Sequence, residues 1–208
     1  SAFKGVKYMN TPVYIITGFL ESGKTKFISE MLADDGFSEG ERTLLLCCEE
    51  GEEEYDSKLL HRTNTVLEPL DEPEDLEKLV ELDEKYRPER VIIEYNSTWL
   101  LQALYSAKKP ESWDLAQIIT LVDSTTFEIY LKNMRSFMAD GLTEADLVIF
   151  NRCTEETTKS PYRRTVLAMN NTARIFFENT DGSMDDGVSD EDLPYDVSAP
   201  VVEIEDTQ

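Results

Sequence analysis

At 208 residues the chain is long enough for one sizeable core, and a single α/β domain is the economical arrangement. Its 43 acidic residues against 20 basic ones leave a formal charge of −23, which excludes sequence-independent attraction to nucleic acid or an anionic lipid surface and leaves cationic, metallic or uncharged partners. Cys47, Cys48 and Cys153 have no disulfide-framework spacing, no apolar run approaches the ~20 residues of a membrane span, and no signal peptide opens the chain; the expectation is a cytoplasmic protein without membrane insertion.

The first predicted strand is the apolar run Val13–Thr17, and directly after it comes Gly18-Phe19-Leu20-Glu21-Ser22-Gly23-Lys24-Thr25, a complete Walker A sequence. Its glycines let the backbone curl so that successive N–H groups point inward at a polyphosphate, and the helix predicted over Lys24–Ala33 adds the positive end of its dipole. Phe27, Ile28, Met31 and Leu32 give that helix its apolar spacing. Lys24 then bridges the β- and γ-phosphates, and the Thr25 hydroxyl goes to Mg²⁺. The expected nucleotide-holding set is Gly18, Glu21, Ser22, Gly23, Lys24, Thr25 and Lys26.

Further strands are predicted at Thr43–Cys48, Val91–Tyr95, Ile118–Val122, Leu147–Phe150 and Ile175–Phe177, several of them apolar without alternation, as in strands buried on both faces. Helices are predicted between them at Asp75–Tyr86, Thr98–Ala107, Thr126–Met138 and Ser160–Met169. This order predicts a three-layer α/β/α sandwich with a mostly parallel central sheet. The acidic run from Glu49 to Asp56 reads as a loop, and Asn179 to Pro200, rich in Asp, Gly, Ser and Pro, as an irregular connector. The nucleotide-binding domain is therefore assigned to residues 1–180, and 181–208 to an acidic flexible connector with the start of a further region, Val201–Glu205 reading as a strand cut short in a longer protein.

Residues Tyr14 to Thr25, followed by Cys48-Glu49-Glu50-Gly51-Glu52-Glu53-Glu54-Tyr55-Asp56, resemble the CobW/HypB/UreG family of P-loop GTPases, particularly its CobW branch. The similarity continues through Ile92-Ile93-Glu94, Leu121-Val122-Asp123 and Ala145–Asn151, about residues 12 to 178. The resemblance implies a GTP-binding and hydrolysing domain with Lys24 and Glu49 in the chemistry, and because no residue is a convincing general base, slow turnover is the expectation. It further implies Thr25, Glu49, Asp56 and Glu94 as metal-holding residues, Glu94 closing a Walker B strand, and Asn151 and Arg152 at the base. It also implies Mg²⁺, a second transition metal such as Zn²⁺, and a metal-receiving or membrane-associated protein partner or a homodimer.

Three departures qualify what is implied. Tyr95-Asn96-Ser97 replaces Thr-Thr-Gly after the Walker B Glu, so Ser97 must offer the N–H that senses the γ-phosphate. Asn151-Arg152-Cys153-Thr154 replaces Asn-Lys-x-Asp, so the guanine-reading carboxylate is missing; Glu155 or Glu156 could stand in by a shift, and ATP is the alternative to GTP. The Cys-x-Cys-Cys metal element is absent, adjacent Cys47 and Cys48 point to opposite faces of a strand, and His61 is a lone histidine. The alternatives to a GTPase are therefore a nucleotide-binding regulatory subunit without hydrolysis and an adenine-using ATPase or kinase on the same scaffold.

Overall fold

The computed structural model describes residues 10–189. Its centre is an eight-stranded sheet in the order β3-β2-β4-β1-β5-β6-β7-β8. The strands are β1 (Thr11–Thr17), β2 (Thr43–Cys47), β3 (Thr65–Pro69), β4 (Arg90–Glu94), β5 (Trp113–Asp123), β6 (Leu147–Cys153), β7 (Arg174–Asn179) and β8 (Met184–Asp185). All neighbouring pairs are parallel except β7 and β8. The fold is the expected α/β/α sandwich.

Strand parity sorts the side chains onto two faces, because successive residues of a strand point to opposite sides. Val13 and Ile15, Leu44 and Leu46, and Val91 and Ile93 pack with Leu79 and Leu82 of α3 (Leu79–Tyr86) and Leu101 and Leu104 of α4 (Leu101–Ser106). Farther along that face, Phe150 and Phe177 stack with ring centroids 4.8 Å apart. They are covered by α5 (Phe127–Asn133), α6 (Arg135–Glu144) and α7 (Lys159–Met169). The intervening residues Ile16, Leu45, Ile92, Ile119, Leu121 and Ile149 face Ile28 and Leu32 of α1 (Lys24–Ala33), with α2 (Ser57–Arg62) beside it. Trp99 and Trp113 pack against the first cluster, as core residues.

Several element boundaries depart from expectation, each for a local reason. The helix expected over Asp75–Tyr86 is entered by a 3₁₀ segment, Pro73–Lys78, because Pro73 follows a capping box in which Glu72 and Asp75 exchange side-chain hydrogen bonds with each other's backbone N–H. The helix expected over Thr126–Met138 breaks at Met134, whose φ of −132° is non-helical, and α6 runs on to Glu144. Helix α2 and strand β3 were not anticipated, nor was β8, which lies in the stretch read as connector and pairs with β7. Val201–Glu205 lies outside the described residues.

This topology positions the site. From β1 the chain moves to one side of the sheet through β2 and β3, returns to β4 next to β1, and crosses to β5 on β1's other flank. Strands diverging in this way leave a crevice at their carboxyl ends, where open parallel sheets place ligands. The loop after β1 lies in that crevice.

Candidate nucleotide site

Two glycines set the shape of the loop between β1 and α1. Gly18 has φ 141°, and a Cβ there would stand 2.5 Å from the Leu121 carbonyl oxygen. Gly23, at φ 93°, precedes the first residue of α1 and would bring a Cβ to 3.1 Å from Asn151 Nδ2. Between them Glu21 also takes a left-handed conformation, φ 60°, and its carboxylate accepts the Glu52 N–H at 3.0 Å, tying the acidic segment to the loop.

Lys24 is buried, and its ammonium donates to the carbonyls of Gly18 at 2.5 Å and Phe19 at 3.2 Å. It also pairs with Glu49 Oε2 at 2.5 Å, the two side chains being only 3% and 9% exposed. The other Glu49 oxygen accepts the Ser97 N–H at 3.1 Å and the Ser97 hydroxyl at 2.5 Å. One carboxylate thus gathers the ammonium of the loop and the N–H donor beyond β4. The cleft enclosed by Lys24, Thr25, Glu49, Glu53 and Glu94 measures about 30 Å³, room for one water.

Beside this pair the Thr25 hydroxyl donates to Glu94 Oε1 at 2.9 Å, while Tyr55 donates its phenol hydrogen to Glu94 Oε2 at 2.5 Å. The Cys47 thiol also points at Oε2, at 3.7 Å. Burial, reinforced by the Glu94 charge, pushes the Tyr55 phenol far up and the Cys47 thiol to about 12, so both stay protonated donors at neutral pH. Cys48 is raised as well, chiefly by burial in the core. Among the described residues no three of His, Cys, Asp and Glu converge in a metal-binding group.

On the other flank Asn151 donates from Nδ2 to the Ser22 carbonyl at 2.6 Å, and Arg152, at φ 54°, donates to the Glu21 carbonyl at 2.9 Å while pairing with Asp123. Burial alone would raise the Asp123 carboxyl, but hydrogen bonds from Thr125 and Arg152 outweigh it and hold the group below its ordinary value. A cavity of about 470 Å³ opens here, lined by Gly23, Lys26, Phe27, Asn151, Arg152 and Glu178, among others. Asn151 Oδ1 and Ser22 Oγ are buried without a hydrogen-bond partner among the described residues. An orphaned acceptor beside a room-sized cavity, next to a loop that accepts no Cβ at Gly18, fits a nucleoside phosphate.

The fold therefore brings together Gly18, Glu21, Ser22, Gly23, Lys24, Thr25, Glu49, Glu94, Asn151 and Arg152. Lys26 lies at the cavity rim, exposed and 4.0 Å from Glu30. Asp56 does not join the proposed metal group: its carboxylate caps α2, accepting the Lys58 N–H at 2.9 Å, and it lines neither cleft. Glu49, expected at the metal, is held by Lys24 and Ser97 instead. The Thr154 hydroxyl accepts the Glu156 N–H at 3.2 Å, Glu155 and Glu156 are exposed, and none of the three lines the cavity. His61 is exposed in α2. Tyr55 and Asp123 lie in the segments that carry the resemblance but receive no role from the sequence, and Glu178 is not singled out there at all, because loop folding and sheet pairing between distant residues bring them to the site. A second cavity, of about 380 Å³, lies on the opposite side of the loop, walled by Phe19, Trp99, Val122, Tyr130 and Met138 with Asp140 among its polar groups.

A parallel sheet with β1 at its centre, a Cβ-intolerant loop leading into α1, and a Walker A threonine hydrogen-bonded to the acid that ends β4 define a P-loop nucleotide-binding protein. Residues 12–177 match the family profile described as CobW/HypB/UreG, nucleotide-binding domain. With most of its length so matched, the chain belongs to the CobW/HypB/UreG family. Among solved structures it is similar to Zn(II)-bound YjiA GTPase from E. coli, at 20% identity and TM-score 0.58 over 79% of this chain and 56% of that one. It is similar also to the hydrogenase maturation factor HypB from Archaeoglobus fulgidus, at 16% identity and TM-score 0.55 over 83% of each chain. HypB from Helicobacter pylori in complex with nickel matches at 14% identity and TM-score 0.53 over 83% of this chain and 80% of that one. No curated protein sequence matches. The chain spans little more than half the length of YjiA.

Proposed function

We propose that this chain binds Mg²⁺ and GTP in the cleft between the β1–α1 loop and the acidic segment after β2, hydrolyses the nucleotide slowly, and passes its nucleotide state to a partner through that acidic segment. The observation that carries the reading is the shared grip of Lys24 and Ser97 on Glu49. An ammonium and a backbone N–H from two different loops meet a single anionic group, which is the donor set that a γ-phosphate requires. Glu49 occupies their grip from within the chain, so a triphosphate enters by displacing it and swinging the segment that carries Gly51 to Tyr55. Tyr55, hydrogen-bonded to Glu94, makes that movement felt at the end of β4.

In this reading the backbone N–H groups from Glu21 to Thr25 cradle the phosphates, and Lys24 neutralises charge between the last two. Thr25 and Glu94 hold Mg²⁺, which when bound supplies charge neutralisation on the phosphoryl group. Asn151 and Arg152 flank the base. Glu49, once released from Lys24, is the nearest carboxylate able to orient a water, and turnover is slow because no better base faces the cleft. The metals named for YjiA and HypB suggest that the coupled process is metal handling in relatives of this fold. With Cys48 buried in the core and Cys47 turned toward Glu94, the two adjacent thiols share no chelating face, and we assign this chain's output to a protein partner.

Single-turnover release of phosphate from GTP, measured with Mg²⁺ and again with EDTA, tests the reading. Slow Mg²⁺-dependent release that disappears in Lys24→Ala is the expected result. Tight GTP binding with no release above background supports the second reading, a nucleotide-binding regulatory subunit, which the occupation of Lys24 by Glu49 also favours.

A further inference from the structure

We propose that Glu178, at the end of β7, reads the base and selects guanine. This rests on the nucleotide-binding reading above and adds the specificity that the turn after β6 lacks. Thr154 stands where family members carry a carboxylate, and its hydroxyl is already used by the Glu156 N–H, away from the cavity beside Asn151.

Strand parity brings a replacement. In β6, Ile149 and Asn151 lie on the α1 face while Phe150 lies on the other; in β7, Phe177 packs against Phe150, so Glu178 shares the face of Asn151. The two strands pair in parallel up to Phe150 and Phe177, and their register then slips before Cys153 pairs with Asn179, which places Glu178 opposite the irregular stretch that contains Asn151 and Arg152. Glu178 lines the 470 Å³ cavity with Lys26, Phe27, Asn151 and Arg152.

Glu178 is half-buried, and its carboxylate makes no hydrogen bond or ion pair with any described residue. The neighbouring Asn179, by contrast, is fully engaged: its oxygen accepts Lys159 Nζ at 2.7 Å, and its nitrogen donates to Ser183 Oγ at 3.0 Å and Asp185 Oδ2 at 3.1 Å. The other carboxylates at the cavity are less suited, since Glu30 sits by Lys26 on the exposed side of α1 and Glu53 borders the phosphate cleft. Guanine presents two adjacent donors, N1–H and the 2-amino group, that a carboxylate accepts together. Adenine presents a lone pair at N1 and no 2-amino group, so the same carboxylate repels it.

Titration of the full chain and of its Glu178→Gln and Glu156→Gln variants with GTP, ITP, XTP and ATP, all with Mg²⁺, tests this. The unaltered chain is expected to bind GTP about 10-fold more tightly than ITP, which lacks the 2-amino group, and about 100-fold more tightly than ATP. Glu178→Gln should weaken GTP by about 10- to 100-fold and strengthen XTP, whose 2-oxo group accepts from the new amide, and ATP, no longer repelled at N1, should gain rather than lose affinity. Glu156→Gln should alter none of these ratios. An unchanged GTP-to-XTP ratio in Glu178→Gln overturns the assignment, as does an equal loss for all four nucleotides or a loss confined to Glu156→Gln. Failure of the unaltered chain to bind any triphosphate refutes instead the nucleotide reading on which the proposal stands.

Discussion

Lys24 and Glu49 form an ion pair with almost no water around it. Burying two charges costs several kcal/mol each, which mutual attraction, the Gly18 and Phe19 carbonyls that accept from Lys24 and the Ser97 donors to Glu49 must offset, so removing one partner alone is expensive, about 3–5 kcal/mol. A polyphosphate can take over the lysine without leaving it unpaired, whereas Glu49 regains solvent once displaced. Replacing Glu49 by glutamine keeps the shape and removes the competing charge. Glu49→Gln is expected to bind GTP about 10-fold more tightly while GDP, without a γ-phosphate, changes little. Competition of the two nucleotides for a fluorescent analogue measures the ratio, and equal gains for both would show that Glu49 does not stand in the place of the γ-phosphate.

At the scale of elements, what was legible in the sequence is what lies contiguous in it. The Walker A loop, its preceding strand and α1 follow from eight residues and their flanks, and β4 ending in Glu94 follows from one apolar run. The six-residue α2 was hidden by the acidic run before it, although Asp56 marks its start. Strand β3 was missed because Thr65–Pro69 is short, only partly apolar and closed by a proline at the end of the ladder. Glu178 and Tyr55 could not be assigned a place, because their neighbours Asn151 and Glu94 come to them only through sheet pairing and loop folding. The start of α4 is another case: no side chain of its own caps it, and Asp140 from α6 accepts the Leu101 N–H at 2.9 Å. Asp140→Ala should therefore cost about 0.5–2 kcal/mol, read as a lower midpoint in urea denaturation. An unchanged midpoint would mean that the Leu101 N–H finds another partner.

Across the whole molecule, the sheet separates two tasks. Its α1 face carries the 470 Å³ cavity proposed for the base and its carboxyl edge the cleft proposed for the phosphates, while the smaller aromatic-walled cavity lies on the opposite side of the same loop. The acidic segment spans the edge between them, tied to Glu21 at one point and to Glu94 through Tyr55 at another. A charge of −23 raises the cost of bringing a polyanion to this surface, so under the proposed function nucleotide binding is expected to require a divalent cation. The most direct test of the central claim is calorimetric titration of the unaltered chain and Lys24→Ala with GTP, GDP and guanosine, each with and without Mg²⁺. Mg²⁺-dependent GTP binding that Lys24→Ala removes, with guanosine affected little, is the predicted result. Equal losses for GTP and guanosine, or no heat of binding for any nucleotide, would contradict a loop built to hold phosphate.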